Sequence, residues 1–204
     1  MSKVKVAVIY YSVTGTNYQM ARAAEEAAAA AGAEVRLVRA QELAPADVVA
    51  ANPAWKAHSE ETASVPVASL EDLEWADAVI FSTPTRYGNM AAPLKQFLDT
   101  TGGLWFHGKL ANKVVSAMTS AANAHGGQEA TLLSLYTMMY HWGAIVVAPG
   151  YTDPVIFQAG GNPYGASATV NQQHEFDKIV LEAAKHQAKR VVTVASWVKN
   201  GQNN

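Results

Sequence analysis

Val4, Val6, Val8, Ile9 and Tyr10 form a short, nearly continuous apolar run, the pattern of a strand buried on both faces of a parallel sheet. A polar stretch, 12–17, interrupts it. Residues 18–31, rich in Ala, Glu, Met and Arg with Gly32 just beyond, predict a helix ending on a glycine stop. Further strands are predicted at 35–38, 78–81, 114–118 and 145–147. Helices are predicted at 92–98, with Pro93 in its first turn, at 128–142 and at 175–199. In the helix at 128–142, Leu132, Leu135, Tyr136 and Met139 recur every three or four residues before Gly143. Ser69 with Asp72 resembles a capping box ahead of Leu70, Leu73 and Trp75. Strand and helix alternating throughout predict a single α/β domain, 1–204, built as a three-layer sandwich. Right-handed crossovers restrict its five-stranded parallel sheet to the doubly wound order 2-1-3-4-5.

Such sheets bind ligands at the carboxyl ends of their strands, which directs attention to the loops 12–17, 83–89 and 120–127. Two segments, 41–67 and 149–173, exceed the ~12 to 15 residues of an ordinary unstructured connection. They carry Trp55 in the first and Tyr151, Phe157 and Tyr164 in the second, aromatics costly to leave in water. Subunit contacts are expected of both insertions, covers over the sheet's own edge being the other use.

Charge and composition narrow the partners. Across 204 residues, Lys and Arg number 15 against 17 Asp and Glu, so no cationic surplus exists to hold nucleic acid or an anionic bilayer. The alanines at 27–31 fall far short of the ~20 apolar residues of a membrane span. The N-terminus runs into the first strand pattern without the apolar core of a signal peptide, and a cytoplasmic protein is expected. Absence of cysteine excludes disulfides, thiol chemistry and iron–sulfur clusters. His58, His107, His174 and His186 show no metal-binding spacing, so no metal is expected.

The first loop, Ser12-Val13-Thr14-Gly15-Thr16-Asn17, offers hydroxyls, an amide and free N–H groups at a helix start, without a carboxylate to repel an anion. One glycine in place of the three in G-x-G-x-x-G favours a monophosphate over a pyrophosphate, and no Gly-Lys pair makes it a P-loop. Alone, it reads better as an ordinary polar turn with a helix cap. The second loop combines Pro84, Thr85, Arg86, Tyr87 and Gly88. Its backbone could read the edge of a planar polar heterocycle, with Tyr87 packing on the ring and Arg86 offsetting charge on its reduced form. Taken singly, Arg86 reads equally as a solvated charge and Tyr87 equally as a core-edge aromatic. No acidic cluster follows the first strand, which excludes a phosphoreceiver.

An ordered set of motifs spans most of the chain. It comprises Tyr10-Tyr11-Ser12-x-x-Gly15, Thr83-Pro84-Thr85-Arg86-Tyr87-Gly88-Asn89-Met90, Thr101-Gly102-Gly103-Leu104-Trp105, Gly126-Gly127-Gln128-Glu129 and Pro163-Tyr164-Gly165-Ala166. This set resembles the WrbA family of flavodoxin-like NAD(P)H:quinone oxidoreductases. The resemblance implies a flavodoxin-like fold, a homotetramer, and FMN as cofactor. The phosphate would lie in the first loop, and the ring against Thr85, Arg86 and Tyr87 and the third loop, at Ser120, Ala121, Ala122, Asn123 and Gly126. NAD(P)H and a quinone would be the substrates. His141 matches a histidine that approaches the flavin, Trp105 the aromatic walling the site where nicotinamide and quinone stack. The helix dipole alone could also account for His141 as a stabilised cation. Thr14 departs from the family's aromatic before the glycine, and the third loop carries an extra His125. The competing reading is a one-electron carrier of the flavodoxin kind, against which stands the net charge of −2, too small to steer redox partners.

Overall fold

The computed structural model describes residues 2–201. Its elements follow in the order β1 (Lys5–Tyr10), α1 (Thr16–Ala30), β2 (Glu34–Arg39), α2 (Ala46–Ala51), α3 (Pro53–Glu61), α4 (Leu70–Trp75), β3 (Ala78–Arg86) and β4 (Asn89–Met90). After these come α5 (Ala92–Asp99), α6 (Gly102–Phe106), β5 (Val114–Ala121), α7 (Gln128–Trp142), β6 (Ile145–Val146), α8 (Val155–Gln158), β7 (Ser167–Thr169) and α9 (Ile179–Gly201). The sheet runs β2-β1-β3-β5-β6, all parallel, which is the expected doubly wound order and the flavodoxin-like fold.

Period-two alternation distributes the core between two faces. From β1, Val6, Val8 and Tyr10 join Met20, Ala24 and Ala28 of α1 and Ala184, Ala188 and Val191 of α9. Ala7 and Ile9 point the other way, to Leu73, Phe81, Leu94, Leu132, Leu135 and Met139. Small alanines on both α1 and α9 let these two helices pack side by side on one face.

The sheet departs from five strands in two places. Residues 83–89, expected as a loop, instead continue β3 through Arg86 and return as the antiparallel β4. The fifth strand position is divided: Val114 and Val115 pair with β6, while residues 119–121 pair with β7. The insertion 149–173 therefore contributes a strand. Gln187, fully buried on α9, stitches that insertion in place, accepting from Ala166 N–H at 2.8 Å and donating to the Ala117 carbonyl at 2.8 Å. The other insertion, 41–67, folds over its own sheet edge. Arg39 N–H donates to the Pro66 carbonyl at 2.9 Å and Ala68 N–H to the Arg39 carbonyl at 2.8 Å. Residues 102–106 form the short helix α6. Helix α1 starts two residues earlier than expected, so Thr16 and Asn17 belong to its first turn, and α9 starts four later. None of the helices is long and apolar enough to cross a membrane among the described residues.

Candidate functional site

The carboxyl ends of β1, β3 and β5 frame a cleft of about 700 Å³, a volume typical of small-molecule sites. Ser12, Val13, Thr14, Thr16 and Asn17 form one wall. Ser12 Oγ accepts from Gly15 N–H at 3.0 Å, and Gly15 itself, at φ 95°, caps α1 without any side-chain hydrogen bond. The N–H groups of the first turn are thereby left for an anion, with the positive end of the helix dipole behind them. Below them Asn17, 1 % exposed, donates from Nδ2 to Ser82 Oγ at 3.2 Å and accepts from Ser120 Oγ at 2.6 Å. One amide thus ties the start of α1 to both β3 and β5.

The second wall is Pro84, Thr85, Arg86 and Tyr87. Tyr87 and Gly88 have φ of 54° and 78°, the two positive values of a type I′ hairpin turn. That turn drives the Tyr87 ring into solvent at full exposure, which excludes the core-edge reading. Arg86 is also exposed, its guanidinium holding the Thr85 carbonyl at 3.0 Å.

The third wall is Ser120, Ala121, Ala122, Asn123 and Gly126, with Ser120 and Ala121 closing β5 rather than lying in a loop. A Cβ at Gly127 (φ 89°) would stand 2.9 Å from Gly88 Cα, so the second and third walls touch through glycine. Thr131 Oγ1, from α7, lies 2.6 Å from Thr85 Oγ1 and 3.0 Å from the Gly127 carbonyl, tying both walls to the helix. Gly15 and Gly88 shape their turns without lining the cleft.

A fourth wall was missed by sequence reasoning. Val170, Asn171, Gln172 and His174, between β7 and α9, line the cleft, as does Asn52 at the start of α3. Val170 N–H donates to the Ala121 carbonyl at 2.8 Å, and Asn171 Oδ1 accepts from the N–H groups of Gln173 at 3.0 Å and Glu175 at 2.8 Å. The polar run from Asn171 to His174 was the available signal. All of it but His174 lay inside the segment 149–173, assigned to subunit contacts.

Trp105 and His141 are not in this chain's own cleft. Trp105 Nε1 donates to the His141 carbonyl at 2.8 Å, so the two stand together, both exposed, at the C-terminal end of α7. Asn112 N–H holds the Gly143 carbonyl there at 3.0 Å, beside the start of β5. The cleft is at the other end of that helix, roughly 20 Å away at 1.5 Å per residue. His141 as a cofactor contact within one chain is thus corrected by the direction of α7.

Beside the Arg86 guanidinium and the His174 imidazole the cleft is lined by hydroxyls, amides and small apolar groups, and none of the lining side chains is acidic among the described residues. An uncapped helix start, a hydroxyl-rich turn, an exposed aromatic and a cation suit a phosphorylated planar heterocycle such as FMN.

Comparison with known proteins gives concordant matches. The profile of the NADPH-dependent FMN reductase family matches residues 4–153. A protein of Deinococcus radiodurans named NAD(P)H dehydrogenase (quinone) is 53% identical over 195 residues, 95% of this chain and 96% of that protein. One of the same name from Aromatoleum aromaticum is 43% identical over 208 residues, covering 97% and 99%. Among solved structures, a WrbA-like flavodoxin from Agrobacterium tumefaciens superposes with a TM-score of 0.65 at 24% identity, covering 96% of this chain and 99% of that one.

Proposed function

The chain belongs to the NADPH-dependent FMN reductase family, and from that membership we infer that it is an FMN-dependent NAD(P)H dehydrogenase (quinone) of the WrbA type, reducing quinones to hydroquinones. The observation that carries the site assignment is the convergence of three sequence-identified walls on one cleft without carboxylates. When bound, FMN supplies the redox chemistry, accepting a hydride from NAD(P)H and passing two electrons to the quinone.

The protein's part is to hold and position. Ser12, Thr14, Thr16 and the N–H groups opening α1 would bind the phosphate. Thr85, Tyr87 and the backbone from Ser120 to Gly126 would orient the ring, with Val13, Ala121 and Ala122 excluding water from its edge. Arg86 would favour the negative charge of the reduced ring.

The homotetramer is part of this reading. Tyr151 and Phe157 stack with centroids 4.6 Å apart yet are 55% and 63% exposed, and Phe106, Tyr140 and Trp197 are each exposed by more than 60%. Such surface supports burial against further copies. In that assembly Trp105 and His141 wall the cleft of a neighbouring subunit, Trp105 covering the substrates and His141 offering a proton to the quinone. A cytoplasmic setting, where NAD(P)H is supplied, completes the proposal. Subunit complementation tests it. Ser12→Asp puts a carboxylate in the phosphate loop, Trp105→Ala with His141→Ala strips the shared wall, and each protein alone should lose most quinone reductase activity. Co-assembly of the two should restore a measurable fraction. Failure to complement in verified mixed tetramers would place both residues outside the site.

A further inference from the structure

Behind the β1–α1 loop lies a small polar void of about 30 Å³, walled in part by Tyr10, Arg39, Glu42, His58 and Thr62, room for a single water. Two buried side-chain atoms among its lining residues have no hydrogen-bond partner, Tyr10 Oη and His58 Nδ1. His58 is 6% exposed. Its Nδ1 stands directly behind the phosphate loop: a Cβ built on Gly15 would be only 3.6 Å from it. An orphaned buried nitrogen normally costs stability, and this one faces the start of α1.

The loop itself carries no lysine or arginine. A phosphate monoester brings about −1.5 to −2 charges at pH 7, and a helix terminus returns only about +0.5. A cationic partner is missing.

The ionisable groups packed around His58 are few. On its own helix, Glu61 Oε2 is 3.7 Å from Nδ1, beyond hydrogen-bond reach, and largely exposed. The Tyr18 ring of α1 lies tilted against the imidazole, centroids 5.5 Å apart. Tyr10 of β1 is pushed up to about 12 by burial and stays neutral. Arg39, ending β2, holds the Val65 carbonyl at 3.1 Å. Glu42 is engaged by Tyr11 Oη at 3.0 Å, Trp55 Nε1 at 3.1 Å and two backbone N–H groups. Burial holds the His58 imidazole below its ordinary value, with Glu61 opposing, so it is neutral when the loop is empty.

We propose that His58 takes up a proton from solvent when the phosphate of FMN enters the loop, so that the imidazolium behind Gly15 becomes the cationic member of the phosphate site. This rests on the FMN reading above. A phosphate dianion raises the imidazole's pKa, so binding absorbs a proton wherever His58 is neutral in the free protein and charged in the bound one. Across that window affinity falls as pH rises. The second ionisation of the phosphate, near pH 6, works in the opposite sense and is complete above pH 7.

Calorimetric titration of the apoprotein with FMN at pH 7 to 8.5, in buffers of different ionisation enthalpy, measures the proton directly. Wild type should absorb a substantial fraction of one proton at pH 7 and lose affinity several-fold by pH 8.5. Riboflavin, without the phosphate, should absorb none. His58→Gln should abolish uptake and weaken FMN at pH 7 by about tenfold, the equivalent of one pKa unit of coupling, while leaving riboflavin affinity unchanged. His174→Gln, on the opposite wall, should retain the uptake. FMN binding to wild type without proton uptake, or uptake that disappears in His174→Gln and survives in His58→Gln, would overturn the proposal alone. Failure of FMN to bind wild type at all would overturn the cofactor assignment as well.

Discussion

At the residue scale, Tyr87 shows most directly where this fold accepts a cost for its site. A non-glycine residue at φ 54° carries about 1–2 kcal/mol of strain, and the ring it carries buries no surface in the chain. Replacing it with glycine relieves the turn and removes the ring. For Tyr87→Gly the thermal midpoint should therefore hold or rise, while FMN affinity drops about three- to tenfold, the worth of one aromatic contact. A midpoint that falls, with flavin affinity intact, would make the ring structural. The side chains for the site were legible here, because Pro84, Arg86, Tyr87 and Gly88 are unusual together at a strand end. Their conformation was not, since a proline and a glycine in seven residues read as a loop.

At the scale of elements, the reason for that misreading is visible in the register. Ser82 gives its carbonyl to Tyr11 N–H at 2.9 Å on the β1 side. Two residues on, Pro84 turns its missing N–H toward the same side, where the β1 ladder has ended, so a proline costs no ladder bond. β7 was illegible for a different reason, three residues being too short for any period to show. By contrast α7 was read to the residue, because its apolar spacing and Gly143, at φ 70°, agree with one another. The capping box on α4 was equally explicit: Ser69 Oγ accepts from Asp72 N–H at 3.4 Å and Ser69 N–H donates to Asp72 Oδ2 at 2.9 Å. Ser69→Ala should cost about 1 kcal/mol in denaturant unfolding with flavin affinity unchanged, since α4 is remote from the cleft. Gly127→Ala should behave differently. Its methyl group would meet Gly88 Cα and its φ of 89° is strained for alanine, so a loss of about 1–3 kcal/mol should come with weakened FMN binding. An alanine variant as stable and as tight as wild type would show that the two walls need no close contact.

At the scale of the whole molecule, α7 holds two groups of candidate residues apart. The cleft gathers at the carboxyl edge of the sheet and Trp105 with His141 stands at the other, so on the proposed reading it is a neighbouring subunit that completes the substrate site. Sequence alone picked out both groups of residues as candidates and could not reveal their separation, because motif order carries no distances. The net charge of −2 agrees with small diffusible substrates in place of a steered protein partner. The central claim, two-electron transfer from NAD(P)H through FMN to a quinone, is tested most directly by anaerobic mixing. FMN-loaded protein is given NADPH or NADH while the oxidised flavin absorbance is followed, and benzoquinone is then added. Full bleaching by at least one nucleotide and complete recovery with one equivalent of quinone is the expected result. A flavin that stays oxidised with both nucleotides, yet accepts a single electron stably from dithionite, would contradict it and mark the protein as a one-electron carrier.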